Sequence, residues 1–274
     1  MFFTALLVAT FFSVASAADF TAAENQFIQD LLSFRLLLRT SATSDEAIAA
    51  VQAYRTAHKE LISTFSEEAN LTCTNMLATA EYNCVYEKDM HSPKMEGILR
   101  PQYEKICDYR AKYNLTELNP WFIMTSADII NSMMQFLKRS DAISLGLQEK
   151  KDYAVVVEKN PQMSFALMLS GFWYYYAPGI GGGSKSKAKQ FFSDALTYAA
   201  NDYERYYGNI NLSQIYFEEK NKNECERLLA EAEKILPATR YIAFIRNINA
   251  LEYSLFDYNM NSTREKLDAR LKGE

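Results

Sequence analysis

No glycine or proline occurs in the first 92 residues of this chain. Those two residues most readily supply tight-turn geometry, and a third of a chain built without them is read as long helices. Across all 274 residues there are only nine Gly and six Pro, and four of the nine glycines, Gly179, Gly181, Gly182 and Gly183, share one five-residue window. A turn-rich β-sandwich, a collagen-like repeat and a flexible linker protein are all disfavoured, while one place along the chain needs unusual backbone freedom. From Phe20 onward the apolar residues recur at helical spacing, with Phe27, Leu31, Phe34 and Leu38 in a first segment and Ala47, Ile48, Val51, Tyr54 and Leu61 in a second. Ser44 followed by Asp45 and Glu46 reads as the start of that second helix. Pro93, Pro101 and Pro120 are each expected in a turn or a first helical turn. No alternating strand pattern bounded by turn dipeptides is present, and the fold class expected is all-α.

The ends and the charges narrow the compartment and the partners. Residues 1–17 carry no charge, run apolar from Phe2 to Val14 and close on Ala15-Ser16-Ala17, the small-x-small pattern of a signal-peptide cleavage site. Export to a periplasm or the cell exterior is expected, with no transmembrane segment in the mature chain, because the apolar run falls short of the roughly 20 residues that span a bilayer. With 29 Lys and Arg against 34 Asp and Glu, the net charge is −5, which disfavours nucleic acid as a partner. Hydrophobic residues at 49% are enough for one large or two modest cores. Cys73, Cys84, Cys107 and Cys225 would be free to form disulfides after export, though Cys73 and Cys84, 11 residues apart on one helix, sit about 16 Å from each other and cannot bridge within it. A bridge from Cys107 to one of them and four buried thiols are both open readings. No CxxC pair or His/Cys cluster is present, so neither metal nor cofactor is expected. Sequons occur at Asn70, Asn114, Asn211 and Asn261, the third inside a predicted helix.

A repeat emerges in the second half. Between Glu204 and Pro237, Leu212, Ser213 and Tyr216 are followed by Cys225, Leu229, Ala232 and Pro237. The preceding segment offers Gly171 and Tyr174, then Ala188, Phe192 and Ala195, after Pro161. These match the L-G-x2-Y, A-x3-F and terminal Pro places of a two-helix repeat in which small residues let the helices cross closely and aromatics fill the gap. The glycine window supplies five extra residues between Tyr174 and Ala188. A degenerate third copy is read at Ala250, Tyr253, Ser262 and Ala269. At these residues the chain resembles tetratricopeptide-repeat proteins, and with its leader it looks like an exported bacterial member of that group. A looser likeness is to the periplasmic T component associated with tripartite ATP-independent transporters. The resemblance implies antiparallel helical hairpins stacked as a tetratricopeptide-like α-solenoid, whose concave face binds a partner protein, a peptide or a small ligand. Three segments result: a leader at 1–17, a helical region at 18–115, and repeats with a C-terminal capping helix at 116–274.

Candidate site residues follow from the repeats. Phe172-Trp173-Tyr174-Tyr175-Tyr176 places five aromatics on successive helical positions, about 100° apart, so they cannot all serve one core. Tyr174 belongs to repeat packing, whereas Trp173, Tyr175 and Tyr176, joined by Tyr203 and Tyr207 of the next repeat, are candidates to line the concave face for a peptide or small apolar ligand. The window from Gly179 to Ser186 misses the phosphate-loop pattern because Ser184 stands at the second Gly, and it reads as a widened turn with Ser184 as N-cap. Lys185 and the loop amides are retained as a candidate anion contact. Neither His58 nor His91 has a recognised catalytic spacing. Catalysis is not expected; the function expected is a binding or scaffolding module, with an accessory ligand-binding component of a periplasmic transport system as the alternative and a hydrolase with an unrecognised site as the least favoured.

Overall fold

The computed structural model describes residues 19–237 and 239–272, and every regular element among them is helical. The leader at residues 1–17 lies outside the described residues. Two helices, α1 (Ala22–Leu37) and α2 (Ser44–Ser63), precede four hairpins. The hairpins are α3 (Glu67–Lys88) with α4 (Lys94–Arg110), α5 (Pro120–Met133) with α6 (Arg139–Lys159), α7 (Ser164–Tyr176) with α8 (Lys185–Thr197), and α9 (Asp202–Glu218) with α10 (Lys222–Ile235). The end of the chain forms α11 (Arg240–Ala250), the single turn α12 (Leu255–Tyr258) and α13 (Asn261–Lys272). Side-chain oxygens cap the starts: Thr21, Thr43, Ser66, Asn119, Ser184, Asn201, Asn221 and Ser254 each accept an orphan backbone N–H of the first turn. The cap of α2 is thus Thr43, one residue before the expected Ser44. Thr43 Oγ1 accepts from Glu46 N, and Glu46 in turn accepts from Ala42 N.

Small residues set the crossing of the repeat hairpins. A Cβ added to Gly171 would lie 2.5 Å from Cε1 of Phe192, so only glycine lets α7 approach α8 at this point. Phe192 is fully buried, 5.2 Å from the Phe172 ring centroid and 5.7 Å from that of Phe256. Tyr174 stacks on Phe191 at 5.1 Å, and Ala188 is fully buried. In the next hairpin Ser213, Cys225, Leu229 and Ala232 are buried together, Leu212 is buried beside them, Tyr216 is half-buried and Pro237 sits exposed in the closing turn. The two expected helix pairs therefore form at the expected register.

Two expectations need correction. Pro101 lies well inside α4, away from any turn. The residue four positions earlier is Gly97, a position with open space around it, where the helix can yield to the proline ring. The third repeat copy does not close as one hairpin. Glu252 takes φ +66, Tyr253 N donates back to the Ile248 carbonyl at 3.1 Å, and α11 ends at Ala250. Ser254 and Asp257 then start a new helix with a capping box, so Tyr253 lies between helices. All four cysteines carry free thiols, with Cys73, Cys84 and Cys225 buried and Cys107 exposed.

The odd-numbered helices form the inner face: α3 packs on α5, α5 on α7 and α7 on α9. The stack curls far enough for α1 to join its two ends, packing against α3 on one side and α9 on the other. Ile28, Leu31 and Leu32 of α1 are fully buried and Phe27 and Leu36 nearly so, a wider apolar face than the single stripe read from sequence. Polar ties fix its placement. Glu24 of α1 accepts from Ser66 N at 2.7 Å, and Asn201 Nδ2 donates to Gln29 at 3.0 Å. One apolar core runs from Phe20 to Phe256, across position 115.

Candidate ligand cavity

Beyond the C-terminal end of α1 the inner face is not filled. A half-open cavity of about 720 Å³ remains between α1, the start of α2, α3, α5, α7, α9, α11 and the α12–α13 end. Its two walls differ because two helical faces differ. On α7, Phe165, Met168, Leu169 and Phe172 recur at helical spacing and make an apolar wall. On α9, Tyr203, Tyr207 and Asn211 recur every four residues and face the cavity with polar tips. Arg35 and Arg39, also four apart, enter from α1 and its terminal turn.

The arginines are held by aromatic faces and single carboxylates. The Arg35 guanidinium carbon is 5.3 Å from the Tyr203 ring centroid, and Arg35 Nη2 is 3.8 Å from Asp128 Oδ2 of α5. Arg39 Nε donates to the Tyr207 hydroxyl at 2.7 Å and its guanidinium lies 4.0 Å from the Tyr241 centroid, while Nη1 pairs with Glu87 of α3 at 2.5 Å. Burial works against both charges, but Tyr203 and Asp128 hold the Arg35 pKa above its ordinary value, and Glu87 with Tyr207 and Tyr241 holds that of Arg39 well above. Burial also raises Asp128, with Arg35 opposing. Arg35 Nη1 and Asn211 Nδ2 are buried donors with no hydrogen-bond partner.

Of the six ligand-contact candidates, Trp173, Tyr175, Tyr176, Lys185, Tyr203 and Tyr207, only the last two line this cavity. Trp173, Tyr175 and Tyr176 of α7 point elsewhere because successive positions turn by about 100° once Phe172 faces inward. Trp173 packs against α6, its Nε1 donating to the Gly146 carbonyl at 3.3 Å and its ring 4.9 Å from Lys150 Nζ. Tyr175 donates to Glu218 and lies 4.2 Å from the Phe256 centroid, and Tyr176 donates to the Phe256 carbonyl at 3.2 Å. Lys185 at the start of α8 pairs with Glu218 at 2.6 Å and sits over Tyr175 at 4.8 Å, so these three residues form a surface cluster joining α7, α8 and α9. The glycine loop is a widened turn, with Gly182 at φ +100 and Ser184 capping α8. Its amides are engaged: Gly181 N and Gly183 N bond the Pro178 carbonyl, Gly182 N that of Gly179 and Ser184 N that of Tyr174. His58 Nδ1 lies 2.9 Å from the Tyr54 carbonyl and His91 Nε2 3.2 Å from Glu265, both away from the cavity. Asn211, a sequon residue, is 2% exposed and closed to glycosylation. Sequence reasoning missed Arg35, Arg39 and Asp128. The signal was there in part: Arg35 interrupts the apolar run from Leu31 to Leu38, and Arg39, four residues on, ends it.

No protein-family model matches the sequence, and no curated protein matches it. Among solved structures, the chain is similar to a thermophilic TPR protein of Thermus thermophilus, at 13% identity and a TM-score of 0.47, over 76% of this chain and all of that one. The described residues include no helix long and apolar enough to cross a membrane and no group of three or more potential metal ligands.

Proposed function

We propose that this chain is an exported, non-catalytic helical-repeat binding module that holds a small ligand inside its stack. Helical-hairpin stacks present their inner helices as binding surfaces, and the observation that carries this reading is what covers them here. α1 lies between α3 and α9, leaving a half-open cavity of about 720 Å³ rather than a groove along the whole inner face. That volume falls within the roughly 300–1,000 Å³ typical of small-molecule sites. A partner protein laid along the inner helices would have to displace α1, whereas one bound to the outer helices would not compete. With the leader-like residues 1–17, an accessory role in periplasmic uptake suits a cavity of this kind better than an intracellular role does.

Native mass spectrometry of the protein purified from its own cells tests the reading. The expected result is a single small molecule retained under gentle conditions, lost on unfolding, and absent from a Ser132→Trp/Leu169→Trp variant that narrows the cavity. A ligand-free mass for the wild-type chain would contradict it.

A further inference from the structure

The cavity carries information about charge as well as size. Its lining holds four arginines, Arg35, Arg39, Arg240 and Arg264, and two carboxylates, Glu87 and Asp128; with Asp268 3.4 Å from Arg264, one positive charge remains in surplus in a chain whose total is −5. A cation would meet that surplus unfavourably and an anion favourably. The unpartnered groups have the same sense. Arg35 Nη1 and Asn211 Nδ2 are donors without acceptors, in residues only 9% and 2% exposed. Buried donors left unpaired in a folded protein are costly unless something accepts from them. Arg35 sits over Tyr203, and Asn211 lies eight residues further along the same face of α9, about 12 Å at 1.5 Å per residue. Between these two levels the facing wall is the apolar stripe of α7 from Phe165 to Phe172.

Resting on the small-ligand reading above, we infer that the ligand is an elongated amphipathic carboxylate, with its acid group at Arg35, its apolar flank along α7 and an acceptor toward Asn211. A single negative charge fits better than a dianion, because Asp128 and Glu87 already stand beside Arg35 and Arg39.

Titration calorimetry with decanoate and decanol, which share one apolar chain and differ in the acid, tests the class. Wild type is expected to bind decanoate at least tenfold more tightly than decanol. In an Arg35→Met/Asp128→Asn variant, which leaves no orphan charge, decanoate affinity should fall at least tenfold while decanol binding stays unchanged. Asn211→Leu removes the other donor without touching a charge; it should narrow the preference of host-purified protein for its own ligand, read as a lower retained fraction. Equal affinity for the two probes, no binding of decanoate by wild type, or decanoate binding indifferent to the Arg35 change would each overturn the inference. If the molecule found by native mass spectrometry is neutral or cationic, the carboxylate assignment falls and the small-ligand reading stands; if none is found, the small-ligand reading itself fails.

Discussion

Replacing Arg110 with Met is expected to destabilise the protein by about 3–5 kcal/mol at neutral pH, the usual effect of removing one partner from a buried ion pair. Arg110, at the end of α4, donates from Nη1 and Nη2 to the two carboxylate oxygens of Asp152 on α6 at 2.7 and 2.8 Å. The Asp152 side chain is wholly shielded from solvent, and its remaining partner is Gln148 Nε2 at 3.0 Å. Without the guanidinium, that amide alone would face a buried negative charge. The bond also joins the outer helices of two successive hairpins, so its loss is felt between repeats as well as within one. The double variant Arg110→Met/Asp152→Leu should recover most of the loss, because two apolar groups of suitable volume often replace a buried pair at little cost. Denaturant unfolding at pH 7 measures both; a loss below about 1 kcal/mol for the single variant would show that the pair is not buried as described.

Glu149→Met is expected to change how stability depends on pH. Glu149, one turn before Asp152 on α6, is 3% exposed, and its Oε1 has no hydrogen-bond partner. Burial first, then the carboxylates of Asp152 and Asp128, push its pKa from an ordinary 4.5 up to about 9. Between those values the folded chain holds a proton that the unfolded chain releases. Stability from this group is therefore complete below pH 4.5 and declines as pH rises toward 9. By pH 7.5 the decline is on the order of 4 kcal/mol. Methionine has a similar length and no proton to lose, so the variant should gain several kcal/mol over wild type at pH 7.5 and little at pH 4. Thermal unfolding followed from pH 4 to 9 checks this, and parallel curves for the two proteins would refute it. Arg110 opposes the upward shift of Glu149, so the two substitutions should not be additive.

The hairpins of α7 to α10 are legible in the sequence because close crossing demands small residues at fixed distances from large ones, as Gly171 stands to Phe192 and Ser213 to Cys225. The widened turn after Tyr176 is legible for a similar reason: Gly182 needs positive φ, and a Cβ at Gly183 would meet the Ala177 carbonyl oxygen at 1.8 Å. The position of α1 is not legible. Its partner α9 begins 165 residues after the end of α1 and leaves no local mark on it, and a helix buried on two sides loses the polar face by which amphipathic helices are recognised. Reading Phe27, Leu31, Phe34 and Leu38 as one stripe finds only one of its two packed surfaces. For that reason Tyr203 and Tyr207 are identifiable as inward-facing while the arginines they hold are not. The sequence groups those tyrosines with Tyr175 and Tyr176, but helical phase sends the latter to α12.

The central claim is that α1 covers the inner face and bounds the ligand cavity at its C-terminal end, and native-state hydrogen exchange along α1 tests it most directly. The amides from Ile28 to Leu36 should be protected to the same degree as those of α9, because the two helices share one core and can open only together. Exchange of α1 at the rate of a frayed terminus, with α9 still protected, would contradict the account and reopen the inner face as a groove.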